Sequence, residues 1–166
     1  MSWYLFSTVI HIFSAMFWIG GVIVYALVII AIIRDPEFKD IKLRLLQKTA
    51  LQFRRLSYPV YLLLFISGVY LTASKGLLYD LLNFQFGSSS MTKMVVLKVS
   101  LFLILVLSSI YHDFFTGPRT FRYAETNPRM FEKNRKLSAF FGKLNLLISV
   151  FIGVMGILIS RGVSIF

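Results

Sequence analysis

The sequence predicts an all-α fold, an integral membrane four-helix bundle that forms a single domain over residues 1–166. Composition is the first reason, since 57% of the residues are hydrophobic and 15% are charged, whereas soluble domains have about 45–50% apolar and about 25% charged residues. The second reason is that four apolar runs are long enough to cross a bilayer. The third is that most Lys and Arg residues lie between these runs. The absence of cysteine excludes disulfides and thiolate metal sites.

The apolar runs predict membrane spans at about 3–33, 56–73, 94–116 and 140–160. The first run is longer than a bilayer requires, so this helix is expected to tilt or protrude and to be retained rather than cleaved as a signal. Asp35-Pro36 predicts its end, and Gly117-Pro118 predicts the end of the third span, because proline cannot continue a helix interior. Residues 37–54 are expected to form an amphipathic helix that leads into the second span.

The positive charge predicts the orientation. Of the 18 Lys and Arg residues, seven lie in segment 34–55 and seven more in segment 117–143. The positive-inside rule then makes the connections 34–55 and 117–139 cytoplasmic and places both termini on the outer, periplasmic side of the inner membrane. The net charge of +11 also favours contact with anionic lipid. We expect no nucleic-acid partner, because no basic module with interleaved exposed aromatics is present.

Polar residues inside a span are costly in lipid and are functional candidates by default. On the first span they recur at steps of three and four residues, which is one stripe of a helix: Ser7, His11, Ser14, Trp18, Gly21 and Tyr25. The second span has a similar stripe: Arg55, Tyr58, Leu62, Phe65, Gly68 and Thr72. On the third span, Lys98 and His112 are four turns apart on one face. We expect these stripes to face the bundle interior.

Depth divides the candidates into two groups. His11, Lys98 and Met155 are predicted to lie in the outer half of the membrane, and His112 lies near Arg55 in the cytoplasmic half. The two histidines differ in depth by roughly 15 Å at about 1.5 Å per residue, whereas two nitrogens that bind one ion are roughly 4 Å apart. The histidines therefore cannot bind the same metal ion, and each is a candidate for its own site.

A histidine in a membrane interior suits the axial position of haem b. His11 is the first candidate metal ligand and His112 the second, so the sequence predicts one haem or two. The other expected roles are propionate pairing for Lys98 and Arg55, far-side ligation for Met155, and porphyrin walls for Trp18, Tyr25 and Tyr58. Two haems at different depths would form an electron path across the bilayer.

Such a protein would transfer electrons in the lipid bilayer, as a monomer or a homodimer, with a quinol or a porphyrinogen as the electron donor. Copper, bound by a histidine with methionine neighbours, is the alternative cofactor. A histidine that only hydrogen-bonds to a neighbouring helix, in a protein without redox activity, is the third interpretation. The residues themselves leave all three open.

The first-span pattern His11-Ile12-x5-Trp18-x2-Gly21 resembles the signature of the HemJ-type protoporphyrinogen oxidases and the related CopD-like copper-resistance membrane proteins. Three further features add to the resemblance: Arg54-Arg55-Leu56, Lys98, and His112-Asp113-x3-Gly117-Pro118-Arg119. The HemJ resemblance implies a b-type haem on His11, with Lys98 as the second important residue. The CopD resemblance implies copper uptake or resistance without haem.

Overall fold

The computed structural model describes residues 2–124 and 126–166. All the regular secondary structure in these ranges is helical. Four helices are long and apolar enough to cross a membrane: α1 (Trp3–Arg34), α2 (Lys42–Ser74), α3 (Ser90–Tyr123) and α4 (Pro128–Ser160). One short helical turn, Leu78–Leu82, lies between α2 and α3. The predicted all-α, multi-pass membrane architecture is therefore confirmed.

The ends of α1 follow local capping signals. The Ser2 side chain accepts a hydrogen bond from the Leu5 N–H at 3.3 Å, which satisfies one of the free donors of the first turn. The helix ends at Arg34, because Asp35 leaves the helical conformation and its carboxylate accepts a hydrogen bond from Glu37 within the short 3-10 turn Pro36–Phe38. The predicted end at Asp35-Pro36 is confirmed.

The segments predicted as basic connections are mostly helical, so the predicted spans are too short. The amphipathic helix expected over residues 37–54 begins only at Lys42 and is continuous with the second span. In the second connection, α3 extends to Tyr123 and α4 begins at Pro128, where 117–139 was predicted to connect the spans. Hydropathy detects the part of a helix that lies in lipid, whereas the polar extension of the same helix carries no apolar run.

Gly117-Pro118 does not end α3, and that prediction is wrong. Residues His112–Thr116 form a π-helical turn, in which the Gly117 N–H bonds to the His112 carbonyl oxygen. Pro118 then falls in the first turn of a renewed α-helix, Gly117–Tyr123, where its missing N–H has no helical partner to lose. Glycine suits position 117 because a Cβ there would lie 3.1 Å from the His112 carbonyl oxygen.

The four helices run alternately up and down, and both chain termini lie at one end of the bundle. The Ser7 hydroxyl near the start of α1 donates to the Ser67 carbonyl near the end of α2 at 3.4 Å. The Lys75 ammonium after α2 donates to the Ile159 carbonyl at the end of α4 at 3.3 Å. We call this the terminal end. The opposite end, which carries segments 34–55 and 117–143, is the basic end.

Helix α1 packs along α2, α3 packs along α4, and α1 also contacts α4. The core divides into two apolar clusters, one of Trp18, Val22, Tyr61 and Leu105 and one of Met94, Val95, Met155 and Ile159. The expected stripe of α2 is wrong at Leu62 and Phe65, which are 58% and 51% exposed, whereas Gly68 contacts His11 as an interior residue. The residues of α2 that are buried are Ser57, Tyr61 and Ser67. Many other large apolar side chains face outward, as expected for a surface in contact with lipid.

Candidate functional site

His11 is held against α2 by a serine that sequence reasoning did not select. The Nδ1 atom of His11 lies 2.8 Å from the Ser67 hydroxyl oxygen. The Ser67 hydroxyl donates its own proton to the Leu63 carbonyl, 2.5 Å away and one turn earlier in α2. With that proton donated to Leu63, the hydroxyl oxygen is left to accept from His11, which assigns the ring hydrogen to Nδ1.

The tautomer leaves the other ring nitrogen, Nε2, with a free lone pair. Among the described residues, Ser67 is the hydrogen-bond partner of the His11 ring. The Leu64 carbonyl oxygen is a further acceptor near the ring. Histidines that bind metals commonly donate the hydrogen of one nitrogen to a neighbouring acceptor, which fixes the ring and directs the other nitrogen at the metal. The bond to Ser67 is the contact expected of a histidine that only joins two helices, and in this tautomer it also leaves Nε2 free.

Two glycines allow close approach around this histidine. A Cβ on Gly68 would lie 3.3 Å from Cε1 of the His11 ring, so glycine lets the ring rest on the α2 backbone. Across the bundle, a Cβ on Gly156 would lie 3.3 Å from the Lys98 ammonium nitrogen. A larger residue at either position would have to displace the side chain that rests on it.

The structure brings His11 and Lys98 to the same depth. Trp18 and Ser149 are joined by a hydrogen bond of 2.9 Å between α1 and α4. His11 is two turns from Trp18 and Gly156 is two turns from Ser149, both toward the terminal end, or about 10 Å in each helix. The Lys98 ammonium, which lies against Gly156, is therefore at about the depth of His11. We call His11, Ser67, Gly68, Lys98 and Gly156 the His11 layer.

The predicted aromatic walls lie below this layer and pack into the core. The Trp18 ring contacts Tyr61, with ring centres 4.6 Å apart, and Phe53 at 5.6 Å. The Tyr25 ring also contacts Phe53 at 5.3 Å, and its hydroxyl is 3.4 Å from the Thr49 hydroxyl. These side chains fill the space between the helices at this depth.

Met155 is 1% exposed and lies in the other apolar cluster, between α3 and α4, with Met94. Met155 therefore belongs to the helix packing.

Beside the His11 layer, a groove of about 200 Å³ opens between α1 and α2, lined by Ser7, Ser67 and apolar side chains. This volume is below the roughly 300–1,000 Å³ of most ligand pockets. Met155, which the sequence predicted as a far-side ligand, does not line this groove.

His112 lies in a polar cluster at the basic end. Its Nδ1 atom is 2.9 Å from one carboxylate oxygen of Asp113. The other carboxylate oxygen accepts a hydrogen bond from the Tyr58 hydroxyl at 3.3 Å, and the Asp113 carbonyl accepts one from Arg54 at 3.2 Å. The Arg54 guanidinium also lies over the Phe114 ring at 5.0 Å. We call these five residues the His112 cluster.

The sequence placed Arg55 beside His112, but its neighbour Arg54 is the arginine that reaches this cluster, through the Asp113 carbonyl. Arg55 is exposed and lines a groove of about 460 Å³ with Lys48 and Gln52 on the outer surface of α2. A single residue along a helix turns the side chain by about 100°, so two consecutive arginines cannot both face the interior. The pair Arg54-Arg55 carried no signal that could have decided between them.

The described residues contain no group of three or more His, Asp or Glu side chains that could hold a metal ion. The two histidines contact different partners near opposite ends of the bundle. Any metal bound here would use one imidazole from this chain.

Comparisons with known proteins give one distant relative. The chain is 25% identical over 154 residues to an uncharacterised protein of Aquifex aeolicus (strain VF5), and the match covers 92% of each chain. No family model matches the sequence, and no solved structure matches it.

Proposed function

We propose that this chain is a multi-pass protein of the inner membrane that binds a b-type haem at the His11 layer and transfers electrons. In this proposal the basic end faces the cytoplasm and both termini face outward, because cytoplasmic segments of membrane proteins are enriched in Lys and Arg. The electron donor would be a lipid-soluble quinol or a porphyrinogen, and the active form a monomer or a homodimer.

The observation that carries the proposal is the hydrogen bonding of His11. Its Nδ1 atom lies 2.8 Å from the Ser67 hydroxyl, whose own proton goes to Leu63, and the tautomer assigned from this arrangement leaves the Nε2 lone pair free. An imidazole nitrogen with this arrangement fits the proximal position of haem iron. A single haem has one iron, which the neutral imidazole of His11 could bind. It also has carboxylates, with which the nearby cation Lys98 could pair.

The residues of the His11 layer have distinct expected roles. His11 Nε2 would hold the iron, Ser67 would fix the ring orientation, and Lys98 would pair with a propionate. Haem, when bound, supplies one-electron redox chemistry. The apolar side chains around the layer keep water away, which strengthens the electrostatic effect of Lys98 on the site.

The test is the absorption spectrum and metal content of the purified protein. Haem-replete cells should yield a coloured protein with a Soret band and about one iron per chain, and the His11→Ala variant should be colourless. The matched control is His112→Ala, which should keep its colour. A colourless wild-type protein that contains copper would replace this proposal with copper transport, and one that contains neither would contradict any redox function.

A further inference from the structure

A second polar region lies in the middle of the bundle, below the His11 layer. It joins four helices and consists of buried side chains only, each at most 9% exposed. We call it the polar core, and its members are Trp18, Tyr61, Ser108, Ser109, Asn145 and Ser149. A polar group in a membrane interior must find a hydrogen-bond partner, so each donor and acceptor of this region can be followed.

Most of these groups are paired with each other. The Trp18 indole N–H donates to the Ser149 hydroxyl, and that hydroxyl donates to the Asn145 carbonyl at 2.6 Å. The Asn145 side-chain amide donates to the Ser109 hydroxyl oxygen at 3.1 Å, and the Tyr61 hydroxyl lies 2.8 Å from the same oxygen. The chain of hydrogen bonds therefore extends from α1 through α4 and α3 to α2.

Two buried atoms of the polar core have no hydrogen-bond partner among the described residues. They are the side-chain oxygen of Asn145 and the hydroxyl oxygen of Ser108. Rotating the Asn145 amide by 180° leaves its nitrogen unpaired instead, so one atom of this amide lacks a partner in either orientation. An unpaired buried polar atom is costly, and internal water, which bonds to two to four polar partners, is the usual remedy.

Toward the basic end, the polar core meets the His112 cluster through an aromatic contact. The Tyr61 ring contacts the Tyr58 ring with centres 5.9 Å apart, and the Tyr58 hydroxyl donates to Asp113. The Asp113 side chain is 19% exposed, so this end of the series reaches the surface. Toward the terminal end, the interface of α3 and α4 is closed by the apolar cluster that contains Met94 and Met155.

We propose that the polar core binds internal water that enters from the basic end past Asp113 and Tyr58. The water completes the hydrogen bonds of Asn145 and Ser108. It makes the basic-end half of the bundle a path by which protons reach the depth of Trp18, in the middle of the membrane. This proposal goes beyond haem binding and does not depend on it.

The indole N–H of Trp18 is a natural probe, because the chain has two tryptophans and Trp3 is 76% exposed. Protein labelled with 15N-indole is placed in lipid nanodiscs, and the two indole signals are assigned with a Trp3→Phe variant. In the wild-type protein, the Trp18 N–H should show a cross-peak to water and should be lost in D2O, although it lies deep in the bundle.

Asn145→Leu removes both amide atoms and keeps the side-chain size, so the Trp18 cross-peak to water should be lost and the signal should persist in D2O. Ser108→Ala and Tyr58→Phe should each slow the exchange. The matched control is Asn134→Leu, which changes the same residue type at the basic end of α4 and should leave exchange unchanged. The helical content of each variant, measured by circular dichroism, reports that it is folded in the nanodisc.

Two results would overturn the proposal. One is a wild-type Trp18 indole that shows no cross-peak to water and persists in D2O. The other is a Trp18 exchange rate that is the same in the wild-type protein, in Asn145→Leu and in Ser108→Ala, because the exchange would then follow another route.

Discussion

The two histidines of this chain make the same first contact in very different surroundings. Each has its Nδ1 atom within hydrogen-bond distance of a neighbouring oxygen, 2.8 Å from Ser67 for His11 and 2.9 Å from Asp113 for His112. Ser67 is a neutral hydroxyl on another helix, whereas Asp113 is a carboxylate on the same helix. The two partners therefore differ in charge and in the helix that carries them.

A carboxylate can pair with a histidine ring in either protonation state, and the His112 side chain is 29% exposed, so water reaches it too. Asp113 and water can therefore pair both ring nitrogens of His112 without a metal. The hydroxyl of Ser67 offers His11 no opposite charge, and the Lys98 ammonium lies at the same depth of the bundle, against Gly156. A neutral imidazole with a free Nε2 is the form that binds iron, so the comparison favours His11 as the ligand.

The largest expected effect comes from the partner of His11. Ser67→Ala removes the acceptor for Nδ1 and frees the ring, and the loss of such an outer partner typically weakens metal binding by about 10–100-fold. Transfer of haem from the purified protein to a haem scavenger measures this change. Asp113→Asn, at the other histidine, should leave haem transfer unchanged, and equal effects of the two variants would remove the distinction between the sites.

The His112 cluster should matter for folding rather than for haem. Asp113→Ala removes the acceptor of Tyr58 and His112, which leaves half-buried donors unpaired and should lower the unfolding free energy by about 1–3 kcal/mol. Unfolding in mixed micelles measures it. Glu132→Ala removes a carboxylate from an exposed ion pair with Arg135 and should have no measurable effect. A full loss of haem in Asp113→Ala with unchanged stability would contradict this assignment.

A smaller change tests the close approach of His11 to α2. Gly68→Ala adds a Cβ that would lie 3.3 Å from the ring, so the ring must move by a few tenths of an ångström, at a cost of about 1 kcal/mol. The Soret maximum and the thermal stability of the haem-bound protein should both shift. Gly20→Ala is the control, since a Cβ there would meet nothing within 4 Å. Identical behaviour of the two variants would show that the ring does not rest on Gly68.

The smallest effect is electrostatic. If haem binds as proposed, Lys98→Gln removes a positive charge near the iron. Because reduction lowers the charge of the iron, the loss should destabilise the reduced state and make the midpoint potential more negative. A redox titration measures the shift. Lys93→Gln, on the exposed surface of the same helix, is the control. An unchanged potential in Lys98→Gln would place Lys98 outside the haem site.

Much of the fold follows from the sequence, because lipid imposes a simple rule on each span. The four apolar runs correspond to the four long helices. The polar stripe of α1 is confirmed by the burial of Ser14 and Trp18. The polar extensions of the helices and the π-helical turns at Tyr25–Ile29 and His112–Thr116 have no apolar pattern and were not predicted.

The hydrogen-bond partner of His11 was harder to predict than the candidate histidine itself. His11 stands out because a histidine is rare in a span, whereas Ser67 is one of several serines and threonines in α2. Serine in a membrane helix usually bonds to its own backbone, and Ser67 does this as well as accepting from His11. The rotation of α2 about its axis decides which serine contacts His11. The predicted stripe of α2 mixes aromatic and polar residues, so it left that rotation uncertain by one residue.

The most direct test of the account is to remove each imidazole and supply it from solution. His11→Gly protein should be purified without a Soret band, and added imidazole with haemin should restore the band, because the vacated space accepts a free ligand. His112→Gly should retain its haem and should not respond to imidazole. A His11→Gly protein that keeps the wild-type spectrum without imidazole would contradict the assignment of His11 as the iron ligand.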